Sequence, residues 1–390
     1  MTILKVDTVS GIGTEGTVFD GDITFDSLNY MTLPKGTTTQ SNAVSSGISS
    51  VTGAIRYNTD SNKMECFNGT KWMQVAVSSP DLNGGARGLF MGHFTEVSPG
   101  NTPTNDYVTI SSAGNATDFG DLTGTNFYGC ACASSTRGIY MGGEEPMTDT
   151  ISYVTISTTG NSADFGNLTE SVKYLPTGGS NQTRGIRAGG VDSPSSNPFN
   201  TIDYITIAST GDAKDFGDLT TRQKYPISTN SSTRMLIAGG VNVPGHPSAN
   251  NTIEYLNFAT YGNTAEFGDL TQIQSAGGSG AASSSTRGIL FVEGYISSGW
   301  SNTNVINYVT MASTGNATDF GDLTLAIKNS GSTSSKTRAL TAGGYYGSSP
   351  NYTNLINYIT IATTGNAADF GDRTVAGSYL AGCSNDHGGL

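Results

Sequence analysis

The chain has 390 residues, of which 52 are Gly, and only 13% of it is charged while 35% is apolar. Such a chain is too neutral and too apolar for disorder driven by charge repulsion. No Gly-X-Y period and no long runs of Ala, Leu, Glu, Lys and Arg occur, which excludes collagen, coiled coil and helix bundle. The net charge of −12 argues against a nucleic-acid partner. No apolar run reaches the length of about 18 residues that a spanning helix needs, so no membrane insertion is expected. Met1 to Asp7 hold no apolar signal-peptide core, so a secretory route is not expected either.

Residues 1–52 are rich in Thr, Ser and Gly, with short apolar pairs such as Val18-Phe19, and cannot bury a core alone. Residues 53–80 read as a small meander. Strands are expected at 53–58, Lys63–Phe67 and Lys71–Val75, with turns at Thr59–Asn62 and Asn68-Gly69. Asn-Gly between alternating strands is a strong hairpin signal. A hairpin of this size is marginal by itself and points to a stalk stabilised by oligomerisation.

From residue 81 the chain is repetitive. A block of the form Asp-Phe-Gly-Asp-Leu-Thr recurs six times, with its Phe at Phe119, Phe165, Phe216, Phe267, Phe320 and Phe370. Twelve residues before each lies Tyr107, Tyr153, Tyr204, Tyr255, Tyr308 or Tyr358. Four residues before each Phe a Gly is followed by Asn115, Asn161, Asp212, Asn263, Asn316 or Asn366. Upstream stand Arg87, Arg137, Arg184, Arg234, Arg287 and Arg338, usually in Thr-Arg-Gly, and a Gly-Gly generally closes that strand. One unit reads as four strands: A from Tyr174 to Ser180, B from Arg184 to Gly190, C from Ile202 to Ser209 and D from Lys214 to Leu219. Gly211-Asp212 supplies the positive-φ turn between C and D.

A period near 50 with four short strands is that of a β-propeller blade. The Gly-Gly ending strand B, with aromatics downstream, resembles kelch repeats. The likeness is partial: Tyr and Phe stand where kelch blades carry a Trp, and Val292-Glu293-Gly294 departs from Gly-Gly in the fifth unit. The expected fold is all-β, a six-bladed kelch-like β-propeller over 81–390 preceded by a small β-rich attachment and stalk region. Terminal blades cannot be left with open edges. Ser378 to Asn385 align with the start of a further unit, and Ser78-Ser79-Pro80-Asp81 makes a poor strand A because Pro cannot donate to the ladder. A C-terminal strand at about 377–385 is therefore expected to complete the first blade.

The six Arg are read as structural. They are fork donors in every unit, and Asp121, Asp218, Asp269, Asp322 and Asp372 are natural partners, with Asn167 in the second unit. An Arg–Asp brace within or between blades is expected. The repeated Tyr and Phe are expected to fill the space between sheets. Cys66, Cys130, Cys132 and Cys383 show no metal-ligand spacing and read as small buried thiols. The three His show no ligand spacing, so neither metal nor cofactor is expected. The Asp-Phe-Gly string lacks the Gly-rich loop, strand Lys and His-Arg-Asp segment of a kinase, and no catalytic constellation is found.

The C–D turns are uniform, whereas the B–C loops differ in sequence and length. These loops carry His93, Phe94, Phe199, His246, Tyr295, Trp300, Tyr345, Tyr346 and Tyr352, which are expected to form an exposed ligand surface. Rigid aromatics among adaptable Ser and Asn suit sugars or proteins.

The 53–76 module resembles one found in tailed-phage fibre and virion structural proteins. Leu4-Lys5-Val6-Asp7-Thr8-Val9-Ser10-Gly11-Ile12-Gly13 and Leu33-Pro34-Lys35-Gly36-Thr37-Thr38 resemble the N-termini of marine phage, especially cyanophage, structural proteins. The resemblance covers about 80 residues. It implies a tail fibre or adhesin in the virion tail, a homotrimer as in many fibres, docked on other tail proteins through residues 1–80. Residues 1–52 would be the attachment segment, and the propeller would engage host surface glycan or protein. The alternatives are a propeller enzyme acting on host polysaccharide, for which Glu144, Glu145, Asp192 and Glu293 are the available carboxylates, and a purely structural tail component.

Overall fold

In the computed structural model the described residues are 33–39, 52–61, 63–74, 86–95, 103–144, 146–192, 197–242, 249–275, 277–278, 280–294, 302–347 and 351–390. The protein is all-β and divides into two compact units, Met1–Ser79 and Pro80–Leu390.

In the first unit Lys35–Gly36, Ile55–Asn58, Lys63–Phe67 and Trp72–Gln74 form one sheet in that order. The first pair is parallel and the others antiparallel. The Asn68 side chain accepts from the backbone N–H groups of Thr70 and Lys71, which fixes the Asn-Gly turn. Glu65 is buried but satisfied: Arg56 Nε donates to it at 2.9 Å and Asn58 Nδ2 at 2.8 Å. The Arg56 guanidinium lies 4.9 Å over Trp72, which packs on Phe67. Cys66 is only half-buried, unlike the other three cysteines, and all four are free thiols.

Among its described residues the second unit contains six four-stranded antiparallel sheets. The first sheet joins Ala381–Ser384, Arg87–Met91, Thr104–Thr109 and Thr117–Asp121 as strands A to D. The second has Cys130–Ala133, Arg137–Met141, Thr148–Thr155 and Ala163–Val172. The third has Thr177–Ser180, Arg184–Ala188, Phe199–Thr206 and Lys214–Gln223. The fourth has Ile227–Asn230, Arg234–Ala238, Asn250–Asn257 and Ala265–Gln274. The fifth has Ala282–Ser283, Arg287–Phe291, Thr303–Thr310 and Thr318–Ile327. The sixth has Gly331–Ser334, Arg338–Ala342, Leu355–Thr360 and Ala368–Asp372. Ala381–Ser384 pairs with Arg87–Met91 in antiparallel register, Cys383 opposite Leu89.

Strand limits differ locally from the sequence reading. Strand A of the third sheet begins at Thr177 and not at Tyr174, because Tyr174 and Leu175 have φ of 60° and 47° and cannot continue a ladder. Strand B ends before Gly189, whose φ is 70°. Strand C is displaced toward Phe199, and strand D runs on to Gln223.

Both faces of these sheets are covered, and the apolar residues fall into clusters that each join neighbouring sheets. Leu89, Met91 and Phe119 of the first sheet pack with Ala131, Tyr140 and Val154 of the second. The same holds for the second with the third, the third with the fourth, the fourth with the fifth and the fifth with the sixth. The last cluster joins Leu340, Ile356 and Phe370 of the sixth sheet to Phe90, Val108 and Ile110 of the first.

Polar links follow the same succession. The Asn or Asp of each C–D turn accepts from a backbone N–H in strand D of the preceding sheet. The pairs are Asp121 to Asn161, Asn167 to Asp212, Asp218 to Asn263, Asp269 to Asn316, Asp322 to Asn366 and Asp372 to Asn115, at 3.0–3.1 Å. The Thr that ends the repeated block bonds a buried polar side chain in strand C of the next sheet. Thr123 meets Ser152, Thr169 Asp203, Thr220 Glu254, Thr271 Asn307, Thr324 Asn357 and Thr374 Asp106. Buried polar groups are thereby satisfied between sheets rather than within them.

The repeated arginines do not form the expected Arg–Asp brace. Among the described residues none of the six is ion-paired; each Nη1 donates to the carbonyl that follows strand C of the next sheet. Arg87 reaches Ile156 O at 2.9 Å, Arg137 reaches Ile207 O at 2.9 Å and Arg287 reaches Ile361 O at 2.8 Å. Arg184 reaches Phe258 O, Arg234 Met311 O and Ala312 O, and Arg338 Ile110 O at 3.1 Å. Each guanidinium also lies 4.4–5.1 Å over the Tyr of its own sheet. That Tyr meets the block Phe edge-on at 5.8–6.1 Å. The carbonyls compete successfully because they are orphan acceptors at a strand end, whereas the carboxylates reach solvent.

The A strands approach one another closely. A Cβ at Gly178 would stand 2.3 Å from Ala131 O, and one at Gly382 would stand 2.2 Å from Ser332 O. Between them run hydroxyl bonds such as Ser180 Oγ to Ala133 O at 2.7 Å and Ser228 Oγ to Gly178 O at 2.8 Å. His387 is buried among these strands. Its Nε2 donates to Ala133 O at 3.0 Å and its Nδ1 accepts from Gly389 N–H at 3.1 Å. Burial lowers its pKa from 6.5 to about 4, so the ring is neutral.

Candidate functional site

The B–C loops and the D–A connections emerge at the same end of the sheets. His93 lies there but is wholly buried, 3.5 Å from Arg373 Nη2. Burial first, and then the Arg373 charge, lower its pKa to about 3. It cannot line a ligand surface, because strand B of the first sheet ends in a Gly turn that folds it under the Ser378 connection. Phe94, Phe199, Tyr345, Tyr346 and Tyr352 are half-buried rather than exposed. Phe94 contacts Phe127 at 5.3 Å and Tyr352 at 5.9 Å, and Tyr352 contacts Tyr345 at 5.7 Å. Tyr345–Tyr346 and Asn351–Tyr352 form a short hairpin. Phe199 packs into the cluster between the second and third sheets and Tyr346 into that between the fifth and sixth. His246, Tyr295 and Trp300, like Glu145, lie outside the described residues.

The most unusual feature at this end lies in the D–A connections. Tyr379, Tyr128, Tyr174 and Tyr225 occupy the same place in the first four sheets, just before strand A. Their φ values are 61°, 65°, 60° and 60°. Asn329 takes the same conformation before the sixth, at 58°. A left-handed backbone is strained for a bulky side chain, by about 1–3 kcal/mol. It is held by hydrogen bonds running from one connection to the next. Tyr379 N–H donates to Asn329 O at 2.8 Å, Tyr128 N–H to Tyr379 O at 3.1 Å and Leu175 N–H to Tyr128 O at 2.9 Å.

The four phenol rings converge. Tyr128 lies 4.1 Å from Tyr379 and 5.0 Å from Tyr174, and Tyr174 lies 5.9 Å from Tyr225. All four residues are half-buried. Burial and mutual contact push the Tyr128 and Tyr225 hydroxyls up, so they remain neutral donors at any physiological pH. Lys173, Lys224 and Lys328 precede three of these connections. Lys173 Nζ lies 4.7 Å over Tyr174 and pairs with Glu144 at 2.8 Å. Lys224 Nζ lies 5.8 Å from both Tyr174 and Tyr225. Sequence reasoning assigned Tyr174 and Tyr379 to strands and passed over Tyr128 and Tyr225. The recurrent pairs Lys173-Tyr174 and Lys224-Tyr225 were the available signal, diluted by Phe127-Tyr128 and Ser378-Tyr379.

Two of the candidate carboxylates are already partnered. Glu144 is paired with Lys173, whereas Glu293 is buried against Ser330, which donates to it through both its hydroxyl and its N–H. Among the described residues no group of three His, Cys, Asp or Glu could hold a metal ion. At the opposite end a cavity of about 270 Å³ is lined by Tyr204, Ser209, Thr210, Asp212 and Lys214. It is shaped by a C–D turn of the kind every sheet repeats. No protein-family model matches the chain, and no curated protein matches it.

Proposed function

We propose that this chain is a tailed-phage virion protein, a tail fibre or adhesin. Residues 1–80 dock on other tail proteins, and residues 81–390 form a six-bladed kelch-like propeller completed by its C-terminal strand. Six sheets linked in succession, the sixth to the first, support the propeller. The resemblance of the N-terminal residues to phage structural proteins supports the virion assignment and a trimeric stalk.

The observation that carries the function is the contrast between the two ends of the sheets. At one end every repeat uses the same Gly-Asn or Gly-Asp turn to hold its neighbour. At the other, the B–C segments differ from one another in sequence and length, and the D–A connections bring together four strained, half-buried tyrosines. A scaffold held uniformly on one side and varied on the other suits recognition. On this reading the variable end binds host surface glycan or protein.

Two measurements test the reading. Antibodies raised against the chain should label the tails of purified virions that carry it. The fluorescently labelled full chain should bind intact host bacteria, and Trp300→Ala with Tyr345→Ala should abolish that binding. Virions left unlabelled, or cells bound equally by the variant, would contradict it.

A further inference from the structure

We propose that Tyr128, Tyr174, Tyr225 and Tyr379, together with Lys224, form a binding site for a carboxylated saccharide; this rests on the adhesin reading above. Glycine adopts the left-handed backbone at no steric cost, and the chain uses it freely elsewhere, yet four tyrosines hold it here. Local strain retained at equivalent places points to a need for the side chain. Tyrosine presents a flat apolar face and a polar tip, which suits the C–H faces and hydroxyls of a sugar ring. The rings come from the connections before four different sheets, and Tyr174, Tyr225 and Tyr379 each lie within 6.5 Å of Tyr128, so they form a shared platform rather than separate contacts.

The cation gives the ligand its charge. Only five lysines lie beyond residue 80, and Lys173, Lys224 and Lys328 stand at this one end of the repeats. Lys173 already has Glu144. Lys224 is half-buried against the two tyrosine faces and has no ion-pair partner among the described residues. Its partial desolvation disfavours the charge, a cost that a bound anion would offset. A carboxylate on a sugar seated over Tyr174 and Tyr225 would do so, with Lys224 acting as a compact point charge. In a chain of net charge −12, diffuse attraction cannot recruit such a ligand; the local ammonium must.

The test titrates the full chain with oligogalacturonate, oligomannuronate and oligosialate, with malto-oligosaccharide as the neutral control. At least one acidic oligosaccharide should bind about tenfold more tightly than the neutral one. Lys224→Met, which keeps the apolar stem, should remove that advantage at unchanged melting temperature. Tyr225→Ala should weaken both ligands, and Lys214→Met at the other end should change neither. No preference for any acidic ligand, or a preference that survives Lys224→Met, would overturn the inference. Host-cell binding lost with Trp300→Ala but kept with Lys224→Met would overturn it and leave the adhesin reading standing. An unaltered chain that binds no host cell would contradict the adhesin reading, while the titration still decides the site.

Discussion

Arg373 and Asp106 form an ion pair at 3.0 Å between the sixth and first sheets, with neither side chain exposed. In the other repeats Leu122, Leu168, Leu219, Leu270 and Leu323 stand where Arg373 does, and Ser152, Asp203, Glu254, Asn307 and Asn357 where Asp106 does. A buried pair contributes little net stability, but breaking one leaves an uncompensated charge. Placed where the two ends of the repeat array meet, it marks that junction apart from the other five. Arg373→Leu alone should cost about 3–5 kcal/mol in urea unfolding. Adding Asp106→Asn reproduces the Leu323 and Asn357 arrangement and should restore most of the loss. A double variant as weak as the single one would refute this account of the junction.

The arginine contacts predict which neighbour matters. Arg287 caps Ile361 O at 2.8 Å and lies 4.4 Å over Tyr308, while Asp322 is not its partner. Lysine keeps the charge but not the planar fork. Arg287→Lys should therefore lower stability by about 1 kcal/mol, whereas Asp322→Asn should change it by less than about 0.5 kcal/mol. Chemical denaturation of both variants decides, and equal losses would restore the Arg–Asp brace.

Three buried groups tie stability to pH in opposite senses. Burial lowers His93 to about 3 and His387 to about 4, below their ordinary 6.5. Their contributions are complete above 6.5 and are lost as pH falls through those values. Burial raises Glu293 from 4.5 to about 7, against the opposing Ser330 hydrogen bonds. Its neutral form is favoured in the fold, so its contribution is complete below 4.5 and is lost as pH rises through 7. Glu293→Gln should raise the melting temperature at about pH 8 and leave it unchanged near pH 4. A variant that melts lower at pH 8 would show that the charged form is the stabilising one.

The period, the four strands per repeat and the uniform C–D turn were legible because they recur as residue types at fixed spacing. Tyr204 and Phe216 could be placed between sheets for the same reason. The partner of each Arg was not legible. Its acceptor is a backbone carbonyl about seventy residues onward, or for Arg338 one 228 residues upstream, and carbonyls carry no sequence signature. Ser, Asp, Glu and Asn share the strand C position that the block Thr reaches, so that link is hidden by its own variation. The N-terminal strand Lys35–Gly36 pairs in parallel with Tyr57–Asn58 across a long connection, which local patterning does not reveal. The tyrosine platform was missed because left-handed backbone at a Tyr contradicts ordinary residue preference.

The close approach of the A strands makes a further test. At Gly178 there is no room for a methyl group beside Ala131 O, and the obstructing atom is backbone, which cannot swing aside. Gly178→Ala should cost about 1–3 kcal/mol and reduce the yield of soluble chain. Unchanged stability would mean that the A strands pack more loosely than described.

Ala381–Ser384, from the far end of the chain, completes the first sheet, and on the propeller reading proposed above it joins the repeats into a ring. The direct measurement is thermal unfolding of a chain ending at Ala376, which lacks Ala381–Ser384 and therefore leaves Arg87–Met91 unpaired on one edge. The account predicts that this chain fails to fold in soluble form or has no cooperative transition near that of the full chain. A soluble truncated chain that melts at the full-length temperature would contradict it.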